Sequence, residues 1–357
     1  MTEPRRWWRW TRWRNAVLVL PLLVLAACGT DDPQSALDPQ GPWARKVDRL
    51  WDWSFGTAVV IFFLVEGLLV YALIRFRRRS EDDAPKQLHG NTPLEIGWTI
   101  LPALILAVLA VPTVATIFEL NEEPTGPDVV NIRVIGHQWW WEVEYLDGEE
   151  VDFTTANEIH IPVDTPVNVQ LESFDVIHSF WVPRISAGKL DAVPGHVNRL
   201  TMHADVAGVY SGQCAEYCGL SHANMRLRVI ADPPAEYEEW AAAQRRPAEE
   251  PEGDLAAEGF RLFAEKGCVG CHTLRGFEGA EARVGPDLTH LMMRETFASV
   301  IFELTPDNLR RWLADPPAMK PMQPQETGPK GNALGMPDLG LTPDEIDALV
   351  AYLQTLE

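Results

Sequence analysis

Cys214-Ala215-Glu216-Tyr217-Cys218-Gly219-Leu220-Ser221-His222-Ala223-Asn224-Met225 sets two thiols, an imidazole and a thioether inside twelve residues. A donor set this soft suits copper, whereas zinc takes sulfur and nitrogen but would leave Met225 unused. A disulfide between Cys214 and Cys218 is chemically plausible in an exported domain, yet it accounts for neither His222 nor Met225. Around this segment the chain reads as short strands: residues 129–135, 167–171, 197–202 and 227–230 alternate in polarity, with Pro and Gly in the turns between them. The stretch therefore sits in a β-sandwich or barrel occupying about residues 121–240. His137, His160, His196 and His203 of the same region have no second ligand nearby in sequence and read as packing or surface residues.

Upstream the chain turns apolar. Arg5, Arg6, Arg9, Arg12 and Arg14 precede an apolar run that ends Leu25-Ala26-Ala27-Cys28-Gly29. That order resembles a bacterial lipoprotein signal, implying that residues 1–27 are removed and that Cys28 carries a lipid. Residues 55–76 and 98–118 are each long enough to cross hydrocarbon as a helix, so residues 28–120 read as a lipid-anchored N-terminus and a two-helix transmembrane hairpin. Arg75, Arg77, Arg78 and Arg79 follow the first span, which places the linker in the cytoplasm and everything after Leu120 outside. Glu66 falls mid-span, where a bare carboxylate is costly. It must face another chain or be protonated.

Downstream of a polar, Pro-containing linker at residues 241–252 lies Cys268-Val269-Gly270-Cys271-His272. Two thiols that can add to vinyl groups, followed at once by an imidazole, form the c-type haem attachment signature. A redox Cys-x-x-Cys needs no such His and expects a parallel sheet, whereas residues 255–266, 306–313 and 343–356 read as helices. Residues 253–357 are thus an all-α haem domain.

The whole chain has 357 residues with 46% hydrophobic content, room for two or three domains, and a formal net charge of −21. So acidic a chain is no phosphate-backbone binder, and nucleic acid is excluded as a partner. From residue 121 to 250 there are 22 acidic against 8 basic side chains, and from 252 onward 17 against 9. Such a surface would steer cationic carriers toward it.

From the first span to about Pro234 the sequence resembles subunit II of the haem-copper cytochrome c oxidases. Gly136-His137-Gln138-Trp139-Trp140-Trp141-Glu142-Val143-Glu144-Tyr145 is similar to that family's aromatic stretch, and Asp175-Val176-Ile177-His178-Ser179-Phe180-Trp181-Val182-Pro183 to the strand end carrying its first copper ligand. The resemblance implies a cupredoxin-like Greek-key barrel holding a binuclear copper centre. Cys214 and Cys218 would bridge the two coppers, His178 and His222 would cap one each, and Met225 and the Glu216 carbonyl would complete the set. It further implies a magnesium at Glu216 shared with the catalytic subunit, electron admission at Trp139, and proton admission at Glu95 on the cytoplasmic side. A core or interface role for Trp139 and a solvated loop role for Glu95 stand as alternatives.

The C-terminal domain resembles a class I cytochrome c. By that resemblance the Pro286 carbonyl in Gly285-Pro286-Asp287-Leu288 accepts the ring proton of His272, and a Met before the last helix is the second iron ligand. Met336 fits, just ahead of Thr342-Pro343-Asp344-Glu345, a capping box with Pro at the first helical position. Met319 and Met322 are rivals because the preceding loop is long; Met292 and Met293 read as core. The expected protein is a caa-type subunit II in the bacterial cell membrane, with copper and haem domains on the extracytoplasmic side. Its partners would be catalytic subunit I, where oxygen is reduced and protons are translocated, and cytochrome c or a bc-type complex as donor. A membrane-tethered copper delivery protein would leave the haem motif idle, and a module like nitrous oxide reductase would need a propeller. Quinol oxidase subunits share the barrel but lack the copper ligands.

Overall fold

The computed structural model describes residues 32–78, 87 and 89–357. The export signal, Cys28 and Arg79 lie outside the described residues. Helix α1 (Pro42–Arg75) begins a dozen residues before the apolar run and, at 34 residues, is about 50 Å long by helix rise, well beyond the ~30 Å of a hydrocarbon layer. Its first turns carry Arg45, Lys46, Asp48, Arg49 and Asp52, so this end stands above the apolar zone. There it is clasped to the copper domain. Gln40 N donates to Arg184 O at 2.6 Å, Asp205 N donates to Gln40 O at 2.8 Å, and Arg45 pairs with Asp205. A Cβ on Gly41 would fall 2.0 Å from His203 O, so only glycine lets the chain enter the helix here. Helix α2 (Thr92–Leu120) continues through Pro102 and Pro112 and is joined to α1 by Lys46–Glu119 at 2.8 Å. Asn91 caps it by accepting from Leu94 N, and Glu95 reaches back to accept from Asn91 N at 3.2 Å.

The next domain is a sandwich of two five-stranded sheets, ordered β3-β2-β1-β5-β8 and β4-β10-β9-β6-β7. The first holds β1 (Val130–His137), β2 (Trp140–Asp147), β3 (Glu150–Ala156), β5 (Val167–Ser173) and β8 (Asn198–Met202). The second holds β4 (Glu158–Pro162), β6 (His178–Trp181), β7 (Leu190–Ala192), β9 (Gly208–Cys214) and β10 (Arg226–Asp232). The pairs β1·β5 and β4·β10 are parallel and the rest antiparallel. Inward residues of both sheets, among them Ile132, Trp141, Val143, Phe180, Met202 and Val229, form one core. Helix α3 (Pro234–Gln244) closes one end by stacking Trp240 on His160.

The haem domain crosses α4 (Asp254–Glu265) with α7 (Pro343–Leu353) around Leu262, Phe263, Leu349 and Tyr352. The crossing is close because Gly259 has no side chain: a Cβ would meet Ala348 O at 2.0 Å. Helices α5 (Pro306–Ala314) and α6 (Pro316–Met319) complete the helical set, and Thr342 with Glu345 forms the expected capping box on α7. The domain is helical but not purely so. Two short ribbons, β11·β12 (Thr296–Phe297, Phe302–Glu303) and β13·β14 (Gln323–Thr327, Ala333–Leu334), occupy loops in which no apolar period is visible.

The two domains share an extensive junction. Strand β2 is buried on both faces: Trp141, Val143 and Tyr145 point into the sandwich, while Trp140, Glu142 and Glu144 point under the haem domain. Arg283 of the haem domain reaches Glu142 at 2.7 Å and pairs with Glu144. Glu158 accepts from Thr296 N at 2.8 Å, and Arg228 bonds Glu295 at 2.8 Å. Carboxylates that alternation assigns to a solvated, carrier-steering surface are therefore consumed in holding the chain's own second domain.

Candidate metal centres

Strand ends bring the copper-type donors together. His178 opens β6, Cys214 closes β9, and the loop from Cys214 to Met225 folds back so that Cys214 N donates to Met225 O at 2.9 Å. The two cysteines are free thiols with Sγ atoms 3.8 Å apart. Cys214 Sγ lies 4.0 Å from His178 Nδ1 and 3.1 Å from Glu216 O, and Cys218 Sγ lies 3.6 Å from His222 Nδ1 and 3.7 Å from Met225 Sδ. His178, Cys214, Cys218 and Met225 are all buried. The bond from Cys218 lowers the Cys214 thiol to about 3 and drives Cys218 the other way, so the pair holds one thiolate readily. Burial opposes charging His178, but hydrogen bonds to Asp175 and Cys214 outweigh it and raise its pKa.

Three features of this site are silent in the sequence. His178 Nε2 bonds Asp175 Oδ1 at 2.8 Å, which aims Nδ1 at the sulfurs, and Asp175 Oδ2 in turn accepts from Gln138 N at 2.7 Å. Gly136 lies flat beneath the imidazole, since a Cβ there would sit 2.6 Å from His178 Cδ2. Trp139 is 3% exposed, and its indole Nε1 donates to Cys218 O at 3.0 Å beside Gln138 Nε2 on the same oxygen at 2.8 Å.

The second site is a cavity lined by Cys268, Cys271, His272, Met322 and Met336 from the haem domain and by Trp139 from the copper domain. His272 Nδ1 bonds Pro286 O at 2.8 Å, leaving Nε2 for iron. Burial lowers the pKa of this imidazole against the opposing bond to Pro286. Gly285 makes room for the ring, with a Cβ there 2.6 Å from Cε1. Trp312 Nε1 donates to Met336 Sδ at 3.1 Å. Met319 is absent from the cavity wall, whereas Met322 is on it. Two free thiols, an imidazole with one nitrogen tied down, and an apolar cleft fit a covalently attached haem.

Profiles of the family described as cytochrome c oxidase subunit II match twice: its transmembrane domain over residues 34–116 and its periplasmic domain over 153–231. A cytochrome c profile matches residues 256–357. The cytochrome c oxidase subunit 2 of Alkalihalophilus pseudofirmus is 37% identical over 355 residues, covering 97% of this chain and 98% of that protein. The chain belongs to the cytochrome c oxidase subunit II family. The Bacillus subtilis protein of the same name is 33% identical over 97% of this chain and 98% of that protein, and that of Bacillus sp. strain PS3 is 34% identical over 94% of each.

This is thus the electron-transfer subunit of a cytochrome c oxidase, with two transmembrane helices, a periplasmic domain bearing the copper site of His178, Cys214, Cys218 and Met225, and a fused cytochrome c domain. It works within a haem-copper oxidase complex. Among the remaining expected residues, Glu216 has its carboxylate 3.5 Å from Lys189 Nζ, Glu95 serves the α2 cap, and Glu66 is exposed on α1. His137 pairs with Glu142 at 3.0 Å, His160 with Asp232 at 2.7 Å, and His196 is exposed.

Proposed function

We propose that Trp139 carries electrons from the fused haem domain to the copper site, on their way from cytochrome c or a bc-type complex to catalytic subunit I. The observation that supports it is the position of Trp139, at once on the wall of the haem cavity and hydrogen-bonded through its indole to Cys218 O. Cys214 and Cys218 would bridge two coppers, with His178, His222, Met225 and the Glu216 carbonyl as the outer ligands. Cys268 and Cys271 would hold the haem, with His272 and Met336 on its iron. Between them, the copper pair and the haem supply one-electron redox chemistry when bound. Trp312 presents the Met336 thioether, and Met336 packs on the haem-domain core whereas Met322 packs against the copper-domain core, which favours Met336. The sandwich contributes rigidity and dryness: it excludes water from the sulfurs and fixes His178 through Asp175. Glu216 would share a magnesium with subunit I once released from Lys189, and Glu95 would admit protons to subunit I from the cytoplasmic side.

Trp139→Leu in the assembled oxidase tests the route. Flash reduction of the haem should be followed by copper reduction at least tenfold slower than in the unaltered enzyme, with copper and haem spectra unchanged. An unaltered rate would remove Trp139 from the path.

A further inference from the structure

Lys320 follows α6 and is 4% exposed. Its ammonium donates to Trp139 O at 2.7 Å and to Ser299 Oγ at 2.8 Å, and Ser299 Oγ itself donates to Trp139 O at 2.8 Å. Both acceptors are neutral oxygens. Among the described residues no carboxylate forms an ion pair with this lysine, so a buried charge and a third N–H donor are left without a partner. A buried cation without a carboxylate partner is costly: burial lowers Lys320 to about 7, and attraction to the Cys218 sulfur only partly offsets it. Natural chains keep such groups where something else completes them.

Lys320 lines the haem cavity, and so does Arg294, which is partly buried and feels the charges of Asp287 and Glu158 only at a distance. Arg294 donates to the Asp287 carbonyl at 2.6 Å, but its buried Nε has no partner, and among the described residues it makes no ion pair within 4.0 Å of a carboxylate. A third observation concerns the turn that delivers Ser299. Ala298, Ser299 and Val300 all take left-handed backbone conformations, with φ of 53°, 64° and 62°. For residues with side chains this conformation is strained, and strain of this kind persists where surrounding contacts over-determine it. Here it sets a hydroxyl on the carbonyl of Trp139.

A c-type haem brings two carboxylates on the edge away from its thioether bonds. We propose that Lys320 pairs with one haem carboxylate, tying the haem edge to the Trp139 carbonyl, with Arg294 facing the other. Lys320 is then a positioning residue shared by both domains: one ammonium joins the haem, the main chain of Trp139 and, through that indole, Cys218. An external carrier has no access to Trp139, because this clamp and the haem domain cover it.

The inference rests on haem attachment at Cys268 and Cys271, and absorbance of covalent haem in each preparation separates the two: an unaltered chain without haem defeats that reading, not this one. In the full oxidase, K320Q keeps a donor for Trp139 O but removes the charge. Its haem should shift about tenfold toward the ferric form at fixed potential, roughly 59 mV for a one-electron couple, and K320R should stay within twofold of the unaltered protein. Haem present with an unmoved potential in K320Q, or an equal shift in K320R, would overturn the pairing. Infrared redox-difference spectra with 13C-labelled haem carboxylates decide without a neutral variant: a labelled band that moves between the unaltered protein and K320R supports it, and one that does not refutes it.

Discussion

The two metal-bearing domains prepare their sites in opposite ways. In the copper domain every donor already faces the others: sulfurs 3.8 Å apart, imidazoles 3.6 and 4.0 Å from them, and the His178 ring locked by Asp175. A two-sheet core surrounds the site and needs no cofactor to be complete. In the haem domain His272 is fixed by Pro286 and Met336 by Trp312, but the two stand apart on the wall of a cavity rather than against each other. A domain built around a cavity for its cofactor holds its ligands apart on the walls, whereas a sandwich can bring them into contact. Rigid ligands suit a centre whose geometry should change little between oxidation states.

The sharpest break between the regions should come from Cys214→Ser. It removes a donor proposed to bridge the coppers, and copper affinity should fall more than ~100-fold, beyond the range seen for supporting residues. Metal analysis should find copper lost and covalent haem retained, because the two cores are separate. Haem lost together with copper would mean that the domains fold as one unit. Asp175→Asn probes the preparation itself: with the His178 anchor weakened, copper affinity in a metal titration should drop about 10–100-fold.

A smaller effect is expected at the junction. Arg283→Met leaves Glu142 and Glu144 buried, each with one remaining partner, His137 and Arg133. The arginine is half exposed, so the cost is set at about 1–3 kcal/mol of haem-domain docking, measurable by denaturant titration or by protease access to residues 245–252. Acid should act on the same contact. Burial works against the Glu142 carboxylate, but bonds from His137 and Arg283 outweigh it and lower its pKa below 4.5. Its contribution is then fully present above the usual carboxylate range and is lost only as pH falls through the lower folded value. Docking should be flat from neutrality down to that range and weaken beneath it; weakening that begins above that range would contradict this assignment to Glu142.

How much of this could be read from the chain follows the same division. Donors contiguous in sequence, from Cys214 to Met225 and from Cys268 to His272, were legible as chemistry because their spacing alone brings them together. Strands whose two faces differ in polarity were legible as well. Strand β2 misled: Glu142 and Glu144 have the alternation of a wet face, and nothing local says that another domain covers them. The clamp on Trp139 was illegible for a stronger reason, since Ser299 and Lys320 are 160 and 181 residues away and only the folded junction joins them. Gly136 and Asp175 were readable as family features but not as a seat and an anchor for His178, since those roles exist only in three dimensions.

The central claim is that Cys214 and Cys218 bridge two coppers in the outer domain of this oxidase subunit. The paramagnetic resonance spectrum of the oxidised full-length protein tests it most directly. Hyperfine splitting spread equally over two copper nuclei, with two coppers bound per chain, is the predicted result. A single-copper pattern, or bound zinc with no copper signal, would contradict it.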